Sequence, residues 1–444
     1  MGSRGIFKRL STFQIIILGF LAVILIGTLL LSLPVSAKSG LRTPFSDALF
    51  TATSAVCVTG LVVLDTAVYW SAFGQAVILT LIQIGGLGII TVVAFIATVS
   101  GRKISLWQRS MLQESISAHQ VGGVVEMTKF IFKVAFAAEL FFAVLMLPAF
   151  LGRYGVSGIW PAFFHSVSAF CNAGFDIMGD KTGEFSSLTS FAGELWVVIP
   201  VCLLIVIGGI GFLTWNDIAT HKLRFKEYRM QSKVILVSTL ILIVLPAAFF
   251  FFGDFSDFSL KERICLSVFH AITPRTAGFN TADLSSMSGA GHAVTMALML
   301  IGGSPGSTAG GMKTTTLAVL IANVAAVITR KKSPEMFGRR VGEQVLKSAA
   351  ALLVMYLFLA LAGAVIISSA EGLPFGLCMF EAASALGTVG LSLGITTSVG
   401  LLSRTVLIVL MFLGRVGGLT MLFAAVHVSG PEVAQRPVEK INVG

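Results

Sequence analysis

Cys57-Val58-Thr59-Gly60-Leu61 returns three times in altered form. The copies are Cys171-Asn172-Ala173-Gly174-Phe175, Arg275-Thr276-Ala277-Gly278-Phe279 and Gly387-Thr388-Val389-Gly390-Leu391. Their glycines lie 114, 104 and 112 residues apart. Each turn closes a short, largely apolar stretch: Phe45 to Ala55, Ala162 to Phe170, Ser267 to Thr273 and Met379 to Leu386. Helices of ~10 residues cannot cross a bilayer, which takes about 20. A half-crossing helix ending in a turn is a re-entrant loop. Irregular backbone at that depth is tolerated only where protein buries it or where it lines a water-filled cavity.

The surroundings of the turns repeat as well. A long apolar helix precedes each one, over about 13–35, 128–150, 232–252 and 346–369. A glycine cluster follows 24 to 34 residues beyond each turn glycine: Gly85-Gly86-Leu87-Gly88, Gly208-Gly209-Ile210-Gly211, Gly302-Gly303-Ser304-Pro305-Gly306 and Gly414-Arg415-Val416-Gly417. The unit is helix, half-helix with turn, helix. It divides the chain into residues 1–110, 111–225, 226–335 and 336–444. The fold class this predicts is an all-α polytopic membrane protein. Four helix–pore-loop–helix repeats surround one ion pore in a pseudo-fourfold arrangement, with eight full crossings.

Composition agrees. Of 444 residues, 55% are hydrophobic and 12% charged, against about 25% charged in a soluble domain. A soluble enzyme, a disordered chain and a secreted disulfide scaffold are excluded. Of the 31 Lys and Arg, 21 fall at the amino terminus (Arg4, Lys8, Arg9), between Arg102 and Lys133, between Lys222 and Lys233, between Arg330 and Lys347, and at Arg436 and Lys440, against eight in the remaining connections. The larger group occupies every second connection, so the positive-inside rule puts both termini and the basic connections in the cytoplasm. Contact with anionic lipid is the plain reading of those runs; a docking face for a cytoplasmic partner is the sharper one. Nucleic acid is excluded as a partner despite the net charge of +10, because no charged face is free of the membrane. The first apolar run is long enough to span and is not read as a cleavable signal. Cys57, Cys171, Cys202, Cys265 and Cys378 show no paired spacing and are read as buried thiols.

Four re-entrant turns in one chain make a cation pore. Each half-helix presents its partially negative C-terminal end to a common axis. The turns Cys57–Gly60, Cys171–Gly174, Arg275–Gly278 and Gly387–Gly390 expose backbone carbonyls that can replace the water shell of a monovalent cation. Glycine supplies backbone angles poor for residues with a Cβ. Asp65, Asp176, Asp180, Asp254, Asp257 and Asp283 lie in connections on the turn side and would concentrate cations at the mouth.

The third glycine cluster differs from the rest. Gly302-Gly303-Ser304-Pro305-Gly306-Ser307-Thr308-Ala309-Gly310-Gly311-Met312-Lys313 cannot be a straight helix. A phosphate loop would need Gly-Lys-Ser/Thr, but Met312 separates Gly311 from Lys313. A flexible segment beneath the third turn, acting as a gate, is the reading retained. The glycines at 85–88 and 208–211 are read as close helix packing. Arg415 takes the place of Gly86, Gly209 and Gly303. It is expected near the axis below the turns, either opposing resident cations or paired with Glu381 or Glu139. His165 and His270 are read as packing residues.

These residues resemble the Trk/Ktr/HKT superfamily of potassium transporters. The four turns, Ile82-Gln83-Ile84-Gly85-Gly86-Leu87-Gly88, the Gly303–Lys313 stretch and Gly414-Arg415 carry the resemblance over nearly the whole chain. Because the first repeat begins directly, the chain is most similar to the Ktr membrane subunit. The resemblance implies K+ as the transported ion, held by carbonyls at the matched turns, with the 302–313 loop as gate and Arg415 narrowing the path. It implies a homodimer in the bacterial cell membrane, one pore per protomer, and a cytoplasmic ring of regulatory subunits that carry the nucleotide. Some plant relatives favour Na+ and have serine where Gly60 stands; Ktr systems are often stimulated by Na+, though no residue pattern here fixes a Na+ site. The competing class is a secondary cation transporter with alternating access, which predicts repeats of opposite orientation. A membrane enzyme would need a polar constellation that the sequence lacks.

Overall fold

The computed structural model describes residues 11–417 except 103 and 118–121. The charged positions Arg4, Lys8, Arg9, Lys103, Arg436 and Lys440, and the C-terminal tail assigned to the fourth repeat, lie outside the described residues.

Repeat one comprises α1 (Thr12–Leu31), α2 (Phe45–Val56), α3 (Ala72–Leu87) and α4 (Ile89–Val99). A short helix, α5 (Leu106–Ser115), leads to repeat two: α6 (Val124–Tyr154), α7 (Ile159–Phe170), α8 (Gly179–Thr182), α9 (Leu195–Gly209) and α10 (Phe212–His221). Repeat three holds α11 (Met230–Phe252), α12 (Leu260–Ile272), α13 (Gly289–Leu300) and α14 (Thr314–Ile328), then a hairpin of β1 (Glu335–Met336) and β2 (Arg339–Arg340). Repeat four is α15 (Glu343–Glu371), α16 (Phe375–Gly387) and α17 (Leu401–Val416).

The four long helices α1, α6, α11 and α15 match the apolar runs of the sequence. The half-helices α2, α7, α12 and α16 are 12, 12, 13 and 13 residues long. Proline starts two of them: Pro44 precedes α2 and Pro374 precedes α16. Proline fits there because its missing N–H is one that a helix start leaves unpaired anyway. The half-helices are the core; residues 50 to 56 of α2 and 164 to 170 of α7 are buried throughout. The long helices expose their outer faces, with Leu25, Leu29, Leu140, Phe141, Leu245 and Phe358 all open. Apolar outside a buried core is the exposure pattern of a chain solvated by lipid.

Eight uninterrupted crossings do not form. The second helix of repeat one bends by 96° between α3 and α4, and that of repeat two by 99° between α9 and α10. The breaks fall at Gly88, with φ +86°, and Gly211, with φ +91°. Helix packing therefore accounts for only part of the glycine clusters. Gly85, Gly208 and Gly414 do pack, each facing a carbonyl at the C-terminal end of a half-helix: Val56, Phe170 and Leu386. A side chain there would push the turn out of place.

Each seam between repeats carries a polar or aromatic tie. Trp160 donates to Gln75 at 2.8 Å between repeats two and one. Leu188 N–H donates to the Asn280 carbonyl at 3.0 Å between two and three. His292 packs its ring 5.9 Å from Phe380 between three and four. Arg404 pairs with Asp47 at 2.7 Å, closing four onto one.

Candidate functional site

The four turns meet in a closed ring. A Cβ built on Gly60 would strike the Ala173 carbonyl oxygen and stand 3.1 Å from the Cα of Gly174. On Gly174 it would lie 2.6 Å from the Ala277 oxygen and 2.9 Å from the Cα of Gly278. On Gly278 it would strike the Val389 oxygen, and on Gly390 the Thr59 oxygen, 2.9 Å from the Cα of Gly60. The order runs one, two, three, four and back to one. Thr59, Ala173, Ala277 and Val389 hold the same place in their turns, so equivalent carbonyls face equivalent glycines around an axis. Only glycine allows this approach.

The backbone inside each turn alternates in hand. Val58, Asn172, Thr276 and Thr388 have φ of +57°, +60°, +76° and +51°, and the glycines two residues on have +92°, +67°, +81° and +94°. Alternation of this kind aims successive carbonyls to the same side. A side-chain-bearing residue in that region costs about 1–3 kcal/mol and persists only where surroundings enforce it. Three of the four being β-branched, at equivalent positions, is a mark of a built site. Nothing in the residue types signals it, since Val and Thr are poor choices there.

A hydroxyl enforces each turn. Gly60 N–H donates to Ser54 Oγ and Gly390 N–H to Ser384 Oγ, both at 3.1 Å. Ser168 Oγ donates to the Phe175 carbonyl at 2.7 Å and Thr273 Oγ1 to the Phe279 carbonyl at 2.6 Å. These four residues were not singled out from the sequence. Their signal was a Ser or Thr five or six residues before each turn glycine. Two of the first turn residues bond to helices outside the turns. Cys171 donates to Gln83 at 3.3 Å, and buried Arg275 donates to Thr239 at 3.4 Å.

Residues 301–313 leave α13 and pass beneath the ring before α14 begins. Ile301 bridges Met312, and Gly302 N–H donates to the Met312 carbonyl at 2.7 Å. Between these ends the loop is pinned to the other repeats. Ser304 N–H reaches the Gly209 carbonyl at 2.9 Å and Gly311 N–H the Gly414 carbonyl at 3.3 Å. Thr308 Oγ1 donates to the Phe170 carbonyl at 3.0 Å and accepts from Asn172 of the second turn at 2.8 Å. Gly310 lies under the fourth turn, where a Cβ would sit 3.1 Å from that of Thr388. Pro305 and Gly306 form the tip: the Gly306 carbonyl accepts from Phe212 N–H at 2.6 Å, where α10 begins. Ser307 Oγ donates to the Ser304 carbonyl at 2.7 Å. Lys313 staples the far end, donating to the carbonyls of Ala309 at 2.9 Å and Gly310 at 3.3 Å. Gly303 accepts at its carbonyl from Thr314 N–H at 3.0 Å.

Arg415 does not pair with a carboxylate. Its guanidinium donates to the carbonyls of Thr308, Gly85 and Gly86. Glu139 takes Gln83 instead, and Glu381 takes Ser392, Leu393 and Thr396. Each acid is taken up by other donors: Glu139 by Gln83 of α3, and Glu381 by the segment that follows its own turn, whereas Arg415 meets carbonyls of the loop and of α3. It joins repeat four to repeat one and to the loop of repeat three. Beneath lies a cavity of about 690 Å³, lined by Arg415, Lys313, Ala309, Trp107 and Tyr356 among others.

The acids assigned to the mouth are mostly committed elsewhere. Asp65 accepts from the N–H groups of Ala67, Val68 and Phe185, each at 2.8 Å. Asp254 accepts from Ser288 N–H, Asp283 from Ser285 N–H and Asp176 from Met178 N–H. They brace loops, because short acidic side chains in connections find nearby backbone donors first. All five cysteines are buried free thiols, and His165 and His270 are buried among aromatic rings.

A ring of four re-entrant turns enclosed by lipid-facing helices defines a membrane protein built to pass an ion. A family model described as a cation transport protein, TrkH, matches residues 6–433. The chain is 40% identical to the potassium/sodium uptake protein NtpJ of Enterococcus hirae over 427 residues, covering 94% of this chain and 93% of the relative. It is 37% identical to the Ktr system potassium uptake protein B of Bacillus subtilis, again covering 94% and 93%. The crystal structure of the potassium transporter TrkH from Vibrio parahaemolyticus superposes with a TM-score of 0.76 at 18% identity, over 94% of this chain and 86% of that one; it speaks to the fold. The chain belongs to the TrkH family of cation transport proteins.

Proposed function

We propose that this chain is the ion-conducting membrane subunit of a bacterial potassium uptake system. K+ passes in single file through carbonyls of the four turns, Cys57–Gly60, Cys171–Gly174, Arg275–Gly278 and Gly387–Gly390. The single observation that carries this is the closed ring, in which each turn glycine faces the equivalent carbonyl of the next repeat. Neutral carbonyls suit a large monovalent cation that loses its water shell cheaply. The relatives named for potassium uptake support the choice of ion, and the relative named for potassium and sodium keeps Na+ in view. The loop from Gly302 to Lys313 is the gate. The chain works as a homodimer under a cytoplasmic ring of nucleotide-binding subunits, docked on the basic side with both termini. The relatives' designation as parts of a Ktr system supports a partner.

The test is growth of a K+-uptake-deficient bacterium at low K+, with this chain alone and with a regulatory subunit. Rescue that requires the chain and rises with the partner is expected. Absence of rescue by well-expressed protein overturns the reading.

Arg415 is assigned the role of latch and electrostatic barrier. Arg415→Ala removes three bonds to carbonyls, one of them on the gate loop. Basal flux in proteoliposomes is expected to rise on the order of tenfold, since one charged hydrogen bond is worth about 1.5–3 kcal/mol. Reduced flux from protein that folds and elutes normally contradicts the assignment.

A further inference from the structure

Three residues before each turn hydroxyl, every half-helix carries a polar side chain: Thr51, His165, His270 and Glu381. All four are buried, at 1%, 0%, 1% and 0% exposure. Three of them stay local. Thr51 donates to the Asp47 carbonyl of its own helix at 2.9 Å, His165 Nδ1 to the Pro161 carbonyl at 2.7 Å, and His270 rests against the Phe255 ring at 5.1 Å between centroids.

Glu381 alone reaches forward, past the turn, to the segment that follows it. Its Oε1 accepts from Ser392 Oγ and from Leu393 N–H at 3.2 Å, and its Oε2 accepts from Thr396 Oγ1 at 2.7 Å. Ser392 Oγ is itself an acceptor for Gly394 N–H at 2.9 Å, which leaves its hydrogen for Glu381. An N–H and two hydroxyls converging on both oxygens fill acceptor positions of a carboxylate. No lysine or arginine pairs with it among the described residues. Arg404, in the next helix, is held by Asp47 at 2.7 Å.

A buried charge persists when an opposite charge lies close. Val389 and Gly390, which face Gly278 and Gly60 in the ring, sit between Glu381 and its partners in the chain. The opposite charge is then the transported ion. We propose that Glu381 is the counter-charge of the cation held at the turns and the positioning residue for the carbonyls of the fourth turn. On this account the wall of the pore is neutral in three repeats and backed by one negative charge in the fourth. The inference rests on the potassium-uptake reading.

The test uses full-length protein in proteoliposomes, with half-saturating K+ and maximal rate measured separately, and thermal unfolding in detergent with K+ or N-methylglucamine. Glu381→Gln keeps the shape and loses the charge. Half-saturating K+ is expected to rise on the order of tenfold, the stabilisation by K+ to shrink, and Glu381→Asp to recover part of both. A purely structural role would lower the maximal rate and the stability equally with and without K+. That outcome, or half-saturation within about twofold of wild type, overturns the proposal. Should Glu381→Gln fail to fold, Glu381→Asp is the second variant: it keeps the charge and shortens its reach. Half-saturating K+ is then expected to rise about threefold and the stabilisation by K+ to fall with it; a maximal rate and stability lowered equally with and without K+, at unchanged half-saturation, overturns the counter-charge. Wild-type protein with neither K+ uptake nor K+ stabilisation defeats the underlying reading instead.

Discussion

Deletion of Pro305–Ser307 from the loop is expected to give K+ flux that no longer needs the regulatory partner. The loop is pinned beneath the ring by bonds from Ser304, Thr308 and Gly311 to repeats two and four, and by Arg415. A net worth of about 1 kcal/mol per bond, summed over three or four, holds a closed state by a hundredfold or more. Removing the tip takes away the Gly306 carbonyl that accepts from Phe212 and shortens the span that the other bonds require. Partner-free flux should approach the partner-activated level of the intact chain, read as Rb+ uptake in proteoliposomes. Flux that stays low and partner-dependent, from protein that folds and dimerises, would show that the loop is not the gate.

Gly60→Ser is expected to admit Na+. The added Cβ does not project into free space; it meets the Ala173 carbonyl and the Gly174 backbone. It also sits at φ +92°, where a side chain costs about 1–2 kcal/mol. Wedging two turns apart misplaces carbonyls in both, and the hydroxyl adds an oxygen of different reach. The K+/Na+ flux ratio should fall on the order of tenfold, with stability reduced by about 1–3 kcal/mol from overpacking. Gly40→Ser is the control. Gly40 has φ +68° with nothing within 4 Å of a built Cβ, so it carries the backbone strain without the wedge. Unchanged selectivity in folded Gly60→Ser protein would remove Gly60 from the ion path.

Much of this was legible in residue order. A repeat of short apolar helix, turn and glycine is a one-dimensional pattern, and a bilayer converts length directly into topology, so the four units and their half-helices could be read. The glycine-rich stretch at 302–313 could be read as broken helix because glycine and proline act through the local backbone. The breaks at Gly88 and Gly211 were misread as packing. Glycine serves both purposes, and only the neighbours decide: Gly85 faces the Val56 carbonyl, while Gly88, with φ +86°, has open space before its Cβ until 3.5 Å.

Side-chain partners were beyond the sequence. Arg415 and Glu381 are opposite charges in apolar surroundings, and a pair with Glu381 or Glu139 was one of two readings that residue order left open for Arg415. The fold gives Arg415 three carbonyls and gives Glu381 three donors. The sequence by itself determined the solvent, the repeat and the places where the chain must turn, since these depend on composition and local backbone freedom. Tertiary structure alone decided which carbonyl each glycine meets and where each buried charge finds its bonds. The ring contacts and the bonds of Arg415 join residues more than a hundred positions apart, and no local preference encodes them.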